Sequence, residues 1–220
     1  MLYISREIED RDFRNFLKSH DIEYVDKSMI SFEPVPFIKP EEEYSIIFFS
    51  SPRAVSFFLN YTDIKKGLTL ATIGRSTSDA VEKHGLRSSF EGKNSGDPDE
   101  VAKKFAEFVQ DEKVLFPQSN LSKRSAQKYL RDEQCIDLVV YETKLTPFEL
   151  VVVPDILIFT SPSNVESFLK KNQIHDGSQK IIAWGLTTEN YLREKGVTKV
   201  ETLRQSTYEE LLEVLERGIS

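Results

Sequence analysis

Hydroxyl-bearing side chains stand where apolar runs of this chain end. Ser51 lies in IFFSSPRAV (47–55), and Ser161 lies in the nearly matching LIFTSPSNV (157–165). Thr77 in ATIGRSTSDAVEKHG (71–85) has its counterparts, Thr187 and Thr188, in IAWGLTTENYLREKG (182–196). A serine before proline caps a helix by accepting from a first-turn N–H, and proline at the first helical position forfeits no hydrogen bond. Glycine permits a tight turn out of a strand, and the threonine that follows sets a hydroxyl beside free N–H groups. FPQSNLSKR (116–124) offers a third set in Ser119, Asn120 and Ser122. The chemistry such turns offer is anion binding, because free donors and the positive end of the helix dipole favour a carboxylate or phosphate.

The elements that must carry these turns follow from the apolar pattern. Short apolar runs alternate with helical patterns: strand 2–5, helix 9–19, strand 22–26, strand 45–50, helix 52–60, strand 68–73, helix 76–84 and helix 98–110. The series restarts at Lys113 with a strand, then helix 122–131, strand 136–141, strand 155–160, helix 162–171, strand 180–184, helix 187–195 and a last helix 208–217. The matched blocks recur at nearly one interval, which indicates a duplicated unit. Strand and helix in alternation predict parallel sheets covered by helices, hence two similar doubly wound, flavodoxin-like α/β domains. The hydroxyl turns then fall at the carboxyl ends of the strands, where open α/β sheets bind ligands. The proline-bearing stretches 31–43 and 143–153 break the alternation and are expected to be linkers or edge strands. The pattern permits either a simple division near residue 111 or a discontinuous one in which both stretches cross between domains.

Composition narrows the function classes. The chain has 220 residues, 39% apolar and 30% charged, enough for two small cores. A lone cysteine, Cys135, excludes an internal disulfide framework, and His20, His84 and His175 lack metal-ligand spacing, so no metal is expected. A net charge of −7 speaks against a nucleic-acid partner, and an anionic ligand would have to be held by local donors. The longest apolar stretch is broken by Pro154 and Asp155, and the N-terminus has no signal pattern, so a cytoplasmic protein with no membrane contact is expected, and a monomer is the expected state. Neither the dinucleotide fingerprint nor the P-loop pattern occurs.

IFFSSPRAV, TIGRSTSDAVEKHGL, VLFPQSNLSKRSAQKYL with the following VVYET, IFTSPSNVESF and WGLTTENYLREKG together resemble the uroporphyrinogen-III synthase family in order and spacing. The resemblance covers most of the chain; Trp184 and Leu186 depart from the family's smaller or proline residues, and YISRE follows its first strand loosely. It implies two α/β domains joined by a two-stranded β linker: residues 1–30 with 148–220, and residues 31–147, with linkers near 31–43 and 143–150. It also implies a cofactor-free enzyme that closes the linear tetrapyrrole hydroxymethylbilane by losing its hydroxyl and inverting the last pyrrole, ring D, through a spiro intermediate. Tyr141 matches the family's proton donor to the leaving hydroxyl. Ser161, Thr77 and Thr188 match hydroxyls that bind substrate carboxylates, and Lys180 matches a basic position. Ser51, Thr187, Arg6, Arg53 and Asn120 are expected on the ligand side. A two-domain module that binds an anionic small molecule without chemistry remains the alternative.

Overall fold

Apolar residues occupy both phases of the short strands, so each sheet must be covered on both faces. The computed structural model describes residues 1–93 and 97–219. In chain order the elements are β1 (Leu2–Ile4), α1 (Arg11–Ser19), β2 (Tyr24–Asp26), β3 (Ile30–Pro34), β4 (Ile46–Phe49), α2 (Pro52–Leu59), β5 (Thr69–Thr72) and α3 (Arg75–Lys83). They continue as β6 (Phe90–Glu91), α4 (Pro98–Val109), β7 (Val114–Ser119), β8 (Cys135–Leu145), β9 (Ile156–Phe159) and α5 (Pro162–Leu169). The last are β10 (Lys180–Ala183), α6 (Leu186–Glu194), β11 (Glu201–Thr202) and α7 (Tyr208–Ile219).

The chain forms two units, Met1–Ser31 with Lys144–Ser220, and Phe32–Thr143. The first unit holds a sheet in the order β11-β10-β9-β1-β2, whose pairings are all parallel. Leu2, Ile4, Ile158 and Ile182 pack on one face against Phe13 and Leu17 of α1 and Leu211 and Leu215 of α7. The intervening Tyr3, Leu157, Phe159, Ile181 and Ala183 pack on the other face against Val165 and Phe168 of α5 and Leu192 of α6.

The second sheet has the order β3-β8-β7-β4-β5-β6, with parallel pairings from β8 through β6. Ile47, Phe49, Leu70 and Leu115 face Val55 and Phe58 of α2 and Val81 of α3. Ile46, Phe48, Ala71, Val114 and Phe116 face Phe105 and Val109 of α4. Counted from β7, the order β8-β7-β4-β5-β6 repeats β2-β1-β9-β10-β11 of the first sheet. The chain halves are thus alike in sequence, and each unit draws its strands from both.

One predicted element is corrected. The helix expected over 122–131 is replaced by two 3₁₀ turns, Ser125–Gln127 and Asp132–Gln134. Ser119 Oγ accepts from Leu121 N at 3.2 Å and Ser122 Oγ from Arg124 N at 3.2 Å, so local side chains take donors a helix would otherwise organise. Arg124 adopts φ 52°, which ends right-handed winding there. Ala126 still reaches the core on the α4 face. The proline-bearing stretch after residue 30 supplies β3 at the sheet edge, as a residue type lacking an N–H requires. β6 and β11 have two residues each, too short to show a period.

Helix starts are chemically explicit. Asp10 accepts from Phe13 N at 2.8 Å, and Asp97 accepts from Asp99 N and Glu100 N at 3.1 Å each, ahead of Pro98. Gly85 and Gly196, at φ 74° and 88°, end α3 and α6 in the left-handed conformation. Among the described residues, no helix is long and apolar enough to cross a membrane.

Gly92 follows β6, where a methyl group would lie 2.2 Å from the Ile73 carbonyl oxygen and 2.7 Å from Val101 Cγ1. Gly92→Ala is therefore expected to lose about 1–3 kcal/mol of stability, measured as a lower urea midpoint with an unaltered m-value.

Candidate active site

In the second unit, the ends of β4, β5 and β7 and the interior of β8 carry the residues singled out above. Ser51 caps α2 by accepting from Ala54 N at 3.1 Å, and the Tyr141 hydroxyl lies 3.5 Å from its oxygen. Tyr141 comes to this edge because β8 pairs with β7 in a register that sets Ser119↔Tyr141 after an irregularity at Gln118/Ser119. Its ring is only 7% exposed, stacked on Phe57 at 5.0 Å and edge-on to Phe32 at 6.0 Å. The Arg53 guanidinium covers Phe32, 3.8 Å from the ring centre. The phenol is thus held by packing with its oxygen at a helix start. Asn120 has a bracing role: its Oδ1 accepts from Thr143 N at 2.8 Å, and its own N–H donates to the Tyr141 carbonyl at 3.3 Å.

The start of α3 differs from that of α2. Gly74 is extended at φ 173° and gives no side-chain cap. Thr77, in the first turn, is fully buried, and its hydroxyl has no hydrogen-bond partner among the described residues. A buried hydroxyl without a partner costs free energy, and the first-turn N–H groups beside it have no side-chain cap.

The first unit repeats both kinds of start. Ser161 caps α5, accepting from Asn164 N at 3.3 Å and from Asn164 Nδ2 at 3.2 Å, while Asn164 Oδ1 accepts from Met29 N at 2.8 Å. Gly185 at φ −177° leaves α6 without a side-chain cap, and the buried Thr188 donates its N–H to the Gly185 carbonyl at 3.0 Å, as Thr77 does to Gly74. Thr187 is exposed beside it. The serine starts are therefore occupied by their own caps, and the glycine–threonine starts have no side-chain cap.

Arg6 follows β1 on the same edge, its guanidinium 5.3 Å from the Trp184 ring centre and 5.7 Å from that of Tyr208. Burial raises the Tyr208 phenol, opposed by the Arg6 charge, and its hydroxyl is buried without a partner among the described residues. Lys180 is not brought here. It stands at the amino end of β10, where its ammonium donates to the Val214 carbonyl at 2.7 Å and faces Glu201 at 3.4 Å. Burial, then the nearby Asp137, push the Cys135 thiol up to about 11, so it stays protonated at neutral pH.

Comparison with known proteins decides the family. The family model described as Uroporphyrinogen-III synthase HemD matches residues 12–213. The chain belongs to the uroporphyrinogen-III synthase family. The fold is similar to that of uroporphyrinogen-III synthetase from Helicobacter pylori, at TM-score 0.64 and 20% identity over 87% of this chain and 92% of that one. It is likewise similar to a mutant uroporphyrinogen III synthase from the extremely thermophilic bacterium Thermus thermophilus, at TM-score 0.65 and 14% identity over 99% and 98%. No curated protein matches the chain. As a uroporphyrinogen-III synthase, the protein is an enzyme of tetrapyrrole biosynthesis that cyclises hydroxymethylbilane.

Sequence reasoning missed the packing around the reactive groups: Phe32 and Phe57 against Tyr141, and Trp184 and Tyr208 against Arg6. These partners come from separate elements and carry no spacing signal. For the synthase, Thr77→Val removes a hydroxyl that the protein alone leaves unpaired. Without substrate its stability is expected to hold or rise by up to about 1 kcal/mol in urea unfolding, whereas the KM for hydroxymethylbilane rises.

Proposed function

We propose that this synthase makes uroporphyrinogen III by orienting a flexible substrate through its carboxylate arms and protonating its leaving hydroxyl from Tyr141. The arms are assigned to the helix starts at Thr77, Thr187 and Thr188, with Arg6 and Arg53 as cationic partners. Ser51, Ser161 and Asn120 brace neighbouring turns by satisfying the backbone, and Lys180 is left out because its ammonium is engaged at the far end of β10. The binding half of this reading is carried by one observation, the buried and unpartnered Thr77 hydroxyl beside an uncapped helix start.

In the reaction, the Tyr141 proton passes to the terminal hydroxyl and the C–O bond breaks, releasing water and leaving an electrophilic methylene on ring A. The substituted carbon of ring D attacks that methylene and forms the spiro intermediate. The bond from that same carbon to its original bridge then breaks, and the bridge is recaptured at the other α-carbon of ring D, which inverts the ring. Loss of the proton from that carbon restores aromaticity, and the proton returns to the phenolate, so the sum is cyclisation with loss of one water. Hydroxymethylbilane also closes unaided to the type I isomer, so geometry is the main contribution asked of the protein.

The matching strand orders and the helices on both faces of each sheet support two flavodoxin-like domains, with β3 and β8 as the two-stranded linker. A cytoplasmic, monomeric enzyme without a cofactor belongs to the same reading.

The isomer assay tests it: the purified protein is expected to turn hydroxymethylbilane into the type III product, and formation of type I alone overturns the proposal. Tyr141→Phe is expected to lower kcat by a factor within the ~10²–10⁴ typical of general acids while still yielding type III. An unaltered kcat would remove Tyr141 from the proton transfer, and complete loss would mean that templating contributes less than assigned here.

A further inference from the structure

Arg6 is held by aromatic rings, as Lys27 is by Phe148 and Lys195 by Tyr191, and unlike Lys180 and Arg193 of the first unit. Lys180 is engaged by Val214 and Glu201, and Arg193 by Glu189 and Thr198. The Arg6 guanidinium makes no ion pair or hydrogen bond among the described residues; what holds it is two aromatic rings. Trp184 and Tyr208 meet edge to face at 5.1 Å and 72°, so the guanidinium contacts two surfaces of different orientation. Both rings are anchored by the apolar layer of α1 and α7, and Tyr208 also packs on Phe13 at 5.3 Å. The Trp184 backbone is tied at both ends, its N–H donating to the Phe159 carbonyl at 2.9 Å and its carbonyl accepting from Ser206 Oγ at 2.5 Å. Of the carboxylates nearest Tyr208, Asp26 accepts from Ile8 N and Asp10 caps α1, while Glu9 is exposed.

A guanidinium whose charge is stabilised by aromatic contact while its N–H edge lacks a protein acceptor is prepared for an incoming anion. The planar fork matches a carboxylate by two parallel hydrogen bonds. Arg6 also lies on the strand-end edge that carries Ser161, Thr187 and Thr188, with Ser5 fixed to Thr160 by a hydroxyl contact of 3.1 Å. We propose that Trp184 and Tyr208 are positioning residues that hold Arg6 as a two-pronged receptor for one carboxylate arm of the substrate. This rests on the carboxylate-binding reading given above and adds to it the device that orients the cation. Ordering such a side chain before the ligand arrives lowers the entropy cost of binding, so its effect belongs in KM more than in kcat.

The test is a double-mutant cycle on Arg6→Gln and Trp184→Leu, with KM, kcat and isomer ratio measured for hydroxymethylbilane and thermal midpoints measured alongside. Each single variant is expected to raise KM about tenfold with a smaller change in kcat, and the double variant to be no worse than Arg6→Gln alone. Trp184→Phe, which keeps a ring face, is expected to recover most of the lost affinity. If Trp184→Leu does not fold, Tyr208→Leu takes its place in the cycle. Multiplying KM effects in the double variant, or a wild-type KM in either single variant, overturns the clamp. A wild-type protein that forms type III while the cycle is multiplicative refutes only the clamp; a wild-type protein that never forms type III refutes the function and the clamp with it.

Discussion

Burial of both faces of each parallel sheet is the constraint on which the remaining structure depends. Ile4 and Ile158 point to one apolar layer while Tyr3 and Leu157 point to the other, and the second sheet repeats this with Phe48 and Phe49. Strands of three to six residues with both phases apolar cannot stand against water, so helices must cover each side. Parallel pairing in turn makes the crossings from strand to covering helix leave from the same edge of a sheet. The hydroxyl-rich turns are gathered by that requirement, before any ligand is considered.

Within each edge, two kinds of turn divide the work. The serine–proline starts at Ser51 and Ser161 satisfy their own helices, and Asn164 extends that bracing to Met29. The glycine starts at Gly74 and Gly185 have no side-chain cap, and at Thr77 even the neighbouring hydroxyl lacks a partner. The first kind is closed by its own side chains, and the second is not. A net charge of −7 is compatible with an anionic substrate on these terms, since helix ends and stacked guanidinium groups act over short distances that the overall field does not govern.

The aromatic surroundings of the polar groups follow the same economy of motion. Tyr141 is fixed between Phe57 and Phe32, and Arg6 between Trp184 and Tyr208. Ring packing restricts the side chain without consuming its hydrogen-bonding atoms, which a hydrogen-bonded brace would do. Rigidity of this type fixes the geometry of a polar group directly.

Much of this was written locally. The alternation of short apolar runs and helical patterns, the caps before Pro52 and Pro162, and the repeat that pairs Gly74 with Gly185 are all readable because helix starts and strand periods depend on neighbours in sequence. The family resemblance followed from the same stretches, and the match over 12–213 agrees with it. Local reading failed over 122–131, where serine side chains and a left-handed Arg124 compete with a helix-compatible pattern. Only tertiary structure decided the sheet orders, the register that brings Tyr141 to the end of β7 beside Ser51, and the aromatic partners of Tyr141 and Arg6. It also separated Lys180 from the strand ends, and it left the Thr77 hydroxyl buried without an acceptor. Those outcomes depend on pairings between residues far apart in the chain, whose energies are set by how whole layers pack and not by any spacing the sequence displays.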